Sequence, residues 1–236
     1  MGEVLKVSGL NKHFALFPGP KVLVGCQDVH LVLGRGEFVG ITGRSGSGKS
    51  TILKCIYRTY LPQSGHIWYD SARFGSLDLA KASERRIAHL RRQEIGYVSQ
   101  FLSVLPRITA RGIVESAMLD DGLDLPQVRQ ATEKLLAHFE LDQSLWDVFP
   151  QTFSGGEKLR LNIARAMAKK PRLLLLDEPT ASLDHESKAR VKELLVKLKT
   201  EGTSLLGIFH DLEFMDGVCD RVLAMSAGRL TAQNLR

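Results

Sequence analysis

Apolar residues recur along this chain in two rhythms, and these divide it into elements. Short β-prone runs at residues 4–7, 22–24, 29–33 and 66–69, separated by Gly, Pro and Asp, predict strands in its N-terminal part. Residues 38–41, 95–98, 173–176 and 205–209 are apolar without polar alternation, as expected of parallel strands buried on both faces. Helical spacing appears at 50–60, where Pro62 stops it, at 81–94 around Ile87 and Leu90, at 127–139 and at 158–169. Residues 101–150 form a helical insertion, and from Phe153 to Ala224 helices alternate with apolar strands, as parallel-sheet crossovers require. The expectation is an α/β chain of one domain, 1–236, with no internal repeat and no room for a regulatory domain after the last expected strand.

Chemistry concentrates where apolar runs end. After the run at 38–41 comes Gly43-Arg44-Ser45-Gly46-Ser47-Gly48-Lys49-Ser50-Thr51, a Walker A pattern between a strand and a helix. Its glycines let successive backbone N–H groups point into one concavity, and the helix N-terminus adds partial positive charge where a triphosphate would sit. Lys49 would reach the β- and γ-phosphates of ATP, and the Ser50 hydroxyl would hold Mg²⁺. The run at 173–176 ends in Asp177-Glu178, two carboxylates at the carboxyl end of a central strand, where ligands bind in open α/β sheets. Asp177 would bind Mg²⁺ directly or through water, and Glu178 would polarise the attacking water.

Ser154-Gly155-Gly156-Glu157 enters the helical stretch at 158–169 and makes a second anion-binding helix N-terminus. This Ser-Gly-Gly step ahead of the carboxylate pair, followed by Pro179-Thr180-Ala181-Ser182-Leu183-Asp184, resembles the ATP-binding cassette (ABC) family over nearly the whole chain. The resemblance implies a P-loop NTPase fold with a RecA-like core, an antiparallel β subdomain and a helical subdomain at about 101–153. It also implies an ATPase that sandwiches two ATP molecules between two cassettes, so one chain cannot complete its own site. Ser154, Gly155, Gly156 and Glu157 would then close over the γ-phosphate held by a second subunit, in a homodimer or a heterodimer with another cassette. Gln100 matches the Q-loop residue that reaches Mg²⁺ or the lytic water, His210 the switch histidine that contacts the γ-phosphate, and Asp184 the loop that crosses the dimer interface. Phe14 matches the aromatic that stacks on adenine, with core packing as its bland alternative and Phe17 as a nearby competitor.

Composition narrows the setting. No apolar run approaches the ~20 residues that span a bilayer, and no signal peptide opens the chain, so the expectation is a cytoplasmic protein whose membrane role, if any, needs separate membrane subunits. Cys26, Cys55 and Cys219 are widely separated and lack metal-ligand spacing, which favours reduced, buried thiols. The net charge of +6 is modest. Arg85-Arg86, Arg91-Arg92 and Lys169-Lys170 are expected to be solvated helix faces, because no aromatic residues interleave with them as nucleic-acid binding would favour.

Segments outside the shared motifs bear on which cassette this is. Val98-Ser99-Gln100-Phe101-Leu102-Ser103-Val104-Leu105-Pro106-Arg107-Ile108-Thr109-Ala110, with Gly207-Ile208-Phe209-His210-Asp211 and Thr152 to Glu157, is similar to the PhnL family of the bacterial carbon-phosphorus lyase system. Phe209 stands where transport cassettes usually carry Thr, and Glu157 where they usually carry Gln. That resemblance implies a partnership with carbon-phosphorus lyase subunits in phosphonate metabolism. The chain departs from it at Lys158-Leu159-Arg160, where a Gln-Gln-Arg-like run is usual. The alternatives are a transporter ATPase of the lipoprotein-release or macrolide-export type, working with membrane permease subunits, and a non-hydrolysing scaffold, against which Lys49, Asp177, Glu178 and His210 argue together.

Overall fold

The computed structural model describes residues 2–15, 18, 22–99, 107–119, 124–181 and 183–233. In chain order the first elements are β1 (Glu3–Ala15), β2 (Val22–Gly34), β3 (Phe38–Thr42), α1 (Lys49–Ile56), β4 (Ser64–Ser71), β5 (Gly75–Asp78), α2 (Glu84–Gln93) and β6 (Ile95–Val98). There follow α3 (Ala110–Leu119), α4 (Leu125–His138), α5 (Gly155–Met167), β7 (Leu173–Asp177), α6 (His185–Thr200), β8 (Ser204–Ile208), α7 (Leu212–Met215), β9 (Arg221–Ser226) and β10 (Arg229–Gln233).

The strands form two sheets. A four-stranded antiparallel sheet has the order β2-β1-β4-β5, and a six-stranded sheet the order β10-β9-β3-β8-β7-β6. In the second sheet β9, β3, β8, β7 and β6 pair in parallel, and β10 closes one edge antiparallel to β9.

Strand β7 shows why the apolar runs behave as they do. Successive side chains point to opposite faces of a sheet, so Leu173 and Leu175 join the core that contains α1, α2 and the antiparallel sheet. Leu174 and Leu176 join the opposite core with α3, α4, α5 and α6. All four are fully buried, and each contributes about 2 kcal/mol of transfer free energy. No polar residue could stand in that run without facing one core or the other. The strand ends above both cores, which brings Asp177 to its carboxyl rim.

Some expected boundaries shift. The runs at 4–7, 22–24 and 29–33 are parts of two long strands, β1 and β2, whose register slips between Glu3 and Leu5 and repeatedly between Val7 and His13. Gly9 and Asp28, with φ of 58° and 49°, absorb the distortion, so residues that look like breaks in the sequence are irregularities inside continuous strands. Helix α1 ends at Ile56 rather than near residue 60, because Arg58 takes a left-handed φ of 64° and ties its guanidinium to the Ala82 carbonyl at 3.0 Å. The last expected strand is followed by another, β10, reached through a tight turn at Ala227-Gly228. Among the described residues the three cysteines are free, with Cys26 and Cys55 buried as small apolar groups. No described helix is long and apolar enough to cross a membrane.

The antiparallel sheet has a charged tie in its interior. Asp78 accepts from the backbone N–H groups of Ile67 and Ala80, each at 3.0 Å, and pairs with His66 Nδ1 at 2.8 Å. Burial alone would push this carboxyl up, but these hydrogen bonds outweigh it and hold it below the usual carboxylate range. The depressed value means that the tie is fully present above the unfolded-state value and is lost as pH falls through the folded one. Asp78→Ala is expected to cost about 2–3 kcal/mol in urea unfolding at neutral pH, with the difference from wild type shrinking in acid. An equal midpoint for the two proteins at neutral pH would remove Asp78 from this role.

Candidate functional site

The loop between β3 and α1 is shaped by contacts that only glycine permits. A Cβ on Gly48, whose φ is 104°, would lie 1.7 Å from the Gly25 carbonyl oxygen of β2, and one on Gly43 would lie 2.3 Å from the Met225 carbonyl oxygen of β9. The loop is thus wedged between the two sheets, with Arg44, Ser45 and Gly46 exposed at its crest. Gly48 is the N-cap of α1, no side chain caps it, and the first turn carries no acid. That leaves helix N–H groups and the positive end of the dipole available to an anion. Ser47 Oγ is buried without a hydrogen-bond partner among the described residues, and the chemistry of the loop fits a phosphate chain.

Lys49 folds back over this loop. Its Nζ donates to the carbonyls of Gly43 at 2.8 Å and Arg44 at 3.1 Å, and lies 3.8 Å from Glu178 Oε1. Burial lowers its pKa, and the charges of Glu178 and Asp177 oppose that shift. The ammonium is held by neutral carbonyls and one carboxylate at longer range, an arrangement that a phosphate can replace.

The carboxylates approach from β7. Asp177 Oδ1 accepts from Ser50 Oγ at 2.8 Å, and its Oδ2 accepts from the Tyr97 hydroxyl at 2.6 Å. A hydroxyl facing a carboxylate at a phosphate loop is an all-oxygen donor set that suits a hard divalent cation. Among the described residues no group of three or more His, Cys, Asp or Glu gathers as a metal site. Few protein ligands is what Mg²⁺ accepts when water and substrate phosphates complete its coordination.

Glu178 turns away from the strand with a φ of 52°, a conformation that costs a non-glycine residue energy and clusters at functional sites. The turn brings its carboxylate between Lys49 and His210, whose Nε2 lies 2.8 Å from Glu178 Oε1. His210 follows β8, and its base is fixed on both sides. Phe209 is buried and donates its N–H to the Ile41 carbonyl at 3.1 Å, while Asp211 caps α7 and accepts from Lys188 at 2.8 Å. Glu178, His210, Thr180, Ala181 and Leu212 line a cleft of about 520 Å³.

The signature segment stays out of this cluster. Ser154 is the N-cap of α5 in a reciprocal capping box, with Glu157 Oε2 accepting from Ser154 N at 2.7 Å and Ser154 Oγ accepting from Glu157 N at 3.3 Å. Ser154 and Gly155 are exposed, and Gly156 packs against Ser187 of α6, where a Cβ would meet Ser187 Oγ at 2.8 Å. Asp184 caps α6, accepting from Ser187 N at 2.7 Å. Phe14 is half-buried at the end of β1, its ring 5.1 Å from that of Tyr60 and 5.1 Å from Lys12 Nζ. It borders the loop, because a Cβ on Gly25 would touch both Phe14 and Thr51. Gln100, Phe17 and Ser182 lie outside the described residues.

Sequence reasoning passed over Tyr97. One aromatic in a buried strand looks like core, and only its register, opposite Leu175 and two residues short of Asp177, shows where a long side chain could reach.

Glycine loop, cation, hydroxyl, paired carboxylates and histidine at the rim of a parallel sheet define a P-loop nucleotide-binding cassette. The chain belongs to the ABC transporter family, whose sequence profile matches residues 26–181, and it is an ABC ATPase. It is 34% identical over 235 residues to a probable amino-acid ABC transporter ATP-binding protein of Haemophilus influenzae, covering 98% of this chain and 88% of that one. It is 31% identical over 220 residues to the methionine import ATP-binding protein MetN of Carboxydothermus hydrogenoformans, covering 93% of this chain but 63% of that relative, less than two thirds of its length. Among solved structures it superposes with a TM-score of 0.89 and 28% identity on a dimeric ATP-binding cassette in a post-hydrolysis state bound to ADP and Pi, covering 98% of this chain and 99% of that one. These two relatives carry transporter and import names, and neither singles out the PhnL family.

Proposed function

We propose that this ATPase works as one of two cassettes that close on ATP and pass the closure to a partner assembly, as the cassette subunit of a transporter. The observation that carries the catalytic part is the pairing of Glu178 with both Lys49 and His210 beside the pairing of Ser50 with Asp177, all at the ends of the glycine loop and of two adjacent parallel strands. In-line attack of water on the γ-phosphorus needs a carboxylate to orient the water and a cation on the phosphates, which Glu178 and Lys49 supply, with His210 positioned to contact the γ-phosphate. Mg²⁺ held by Ser50 and Asp177 would add charge neutralisation along the phosphate chain. Ser154, whose hydrogen bonds stay within its own turn, and the exposed Gly155 would complete a second chain's site. The names of the relatives support an import role, and permease subunits would be the partners.

Specific residues favour a second reading, a PhnL-like role beside soluble carbon-phosphorus lyase subunits. Phe209 before the switch histidine is a core residue here, packed edge-on against Phe38 with centroids 5.9 Å apart and tilted against Phe214 at 5.1 Å. Glu157 closes the capping box at the signature. Co-expression decides between the two. Under the transporter reading the chain is recovered with membranes, and deletion of its gene leaves growth on phosphonate intact. A detergent-free complex with lyase subunits, together with lost growth on phosphonate, would replace that reading with the second.

A further inference from the structure

We propose that Tyr97 is a positioning residue for the metal-binding carboxylate of Asp177, holding Oδ2 so that Oδ1 stays turned toward Ser50. The geometry follows from the sheet. Tyr97 on β6 pairs with Leu175 on β7, so Asp177 lies two residues further along the neighbouring strand, about 6.6 Å along its axis and one strand over. A tyrosine spans that distance and ends in a donor, and its hydroxyl meets Asp177 Oδ2 at 2.6 Å while Ser50 Oγ takes Oδ1 at 2.8 Å. A phenol is protonated at neutral pH, so the Tyr97 hydroxyl donates and the carboxylate oxygen accepts.

The ring is itself braced. Tyr57 packs against it with centroids 4.9 Å apart, the Arg91 guanidinium lies 4.7 Å from the Tyr57 ring, and Arg91 Nε donates to the Tyr57 carbonyl at 2.8 Å. Tyr57, Arg91 and Tyr97 also line a cleft of about 450 Å³ at the side of the parallel sheet. The same ring therefore touches the metal-binding carboxylate at one end and an open cleft along its flank.

A tyrosine that only fills space tolerates phenylalanine, whereas one that orients a ligand does not. The inference rests on assigning the metal to Ser50 and Asp177, and the test separates the two. Wild type, Tyr97→Phe and Asp177→Asn are titrated with Mn²⁺ in the presence of a non-hydrolysable ATP analogue, with the bound ion followed by electron paramagnetic resonance. Nucleotide affinity in EDTA and the melting temperature are measured alongside. Tyr97→Phe is expected to weaken Mn²⁺ binding about tenfold or more, with metal-free nucleotide affinity unchanged and the melting temperature lowered by only about 2–4 °C. Equal Mn²⁺ affinity in wild type and Tyr97→Phe overturns the role of Tyr97. Equal affinity in wild type and Asp177→Asn overturns the metal assignment beneath it.

Discussion

Glu178→Gln binds ATP with nearly wild-type affinity and hydrolyses it at least about 100-fold more slowly, the expected loss when a general base is neutralised in place. The amide keeps the volume of the side chain and can still lie against His210, which stands 2.8 Å from the carboxylate. It cannot carry the negative charge that polarises water. The effect belongs to the transition state, so it appears in turnover and leaves ground-state binding alone. The ammonium of Lys49 remains bonded to the Gly43 and Arg44 carbonyls, which are untouched by the change. A phosphate-release assay on the purified variant, with a direct ATP titration beside it, measures both halves. Turnover within about threefold of wild type would move the base elsewhere in the cleft.

In the same background the chain should be a dimer with Mg-ATP and mostly a monomer with ADP. The physical reason is the position of the signature segment. Ser154 is exposed and its hydrogen bonds close on its own turn, so under the proposed arrangement its helix N-terminus would be open to the γ-phosphate of a facing chain. A species that binds only the closed state shifts the equilibrium by mass action. ADP, without the γ-phosphate, offers nothing at that distance. Ser154→Arg should keep each half able to bind ATP yet prevent closure, because a buried, unpaired guanidinium costs on the order of several kcal/mol. Light scattering gives the mass directly. The same mass with either nucleotide, or an intact ATP dimer in Ser154→Arg, would refute the arrangement.

Parts of this site were legible in the sequence because they depend on local pattern. The glycine loop, the apolar runs that become β3, β7 and β8, and the polar residues that follow them are short, contiguous and buried on both faces, so composition alone betrays them. The long strands β1 and β2 were harder, since Gly9, Gly25 and Asp28 look like stops and turn out to be irregularities inside a continuous ladder. β10 was invisible because its existence depends on a tight turn and on an edge offered by β9. Tyr97 depended on the register of two strands separated in sequence by the whole helical insertion, which no local window contains.

Phe209 and Gly207 are best understood as a single unit. A Cβ at 207 would lie 2.4 Å from Phe209 Cε2 and 3.3 Å from Phe38 Cε2, so the bare glycine is what lets the aromatic ring fold beneath the strand and set the base of His210. In an alignment of cassettes these two columns should therefore covary, an aromatic at the second appearing only where the first has no side chain. Grafting Phe209 alone into a relative that carries a larger residue at the first position would displace its histidine, whereas grafting both would not.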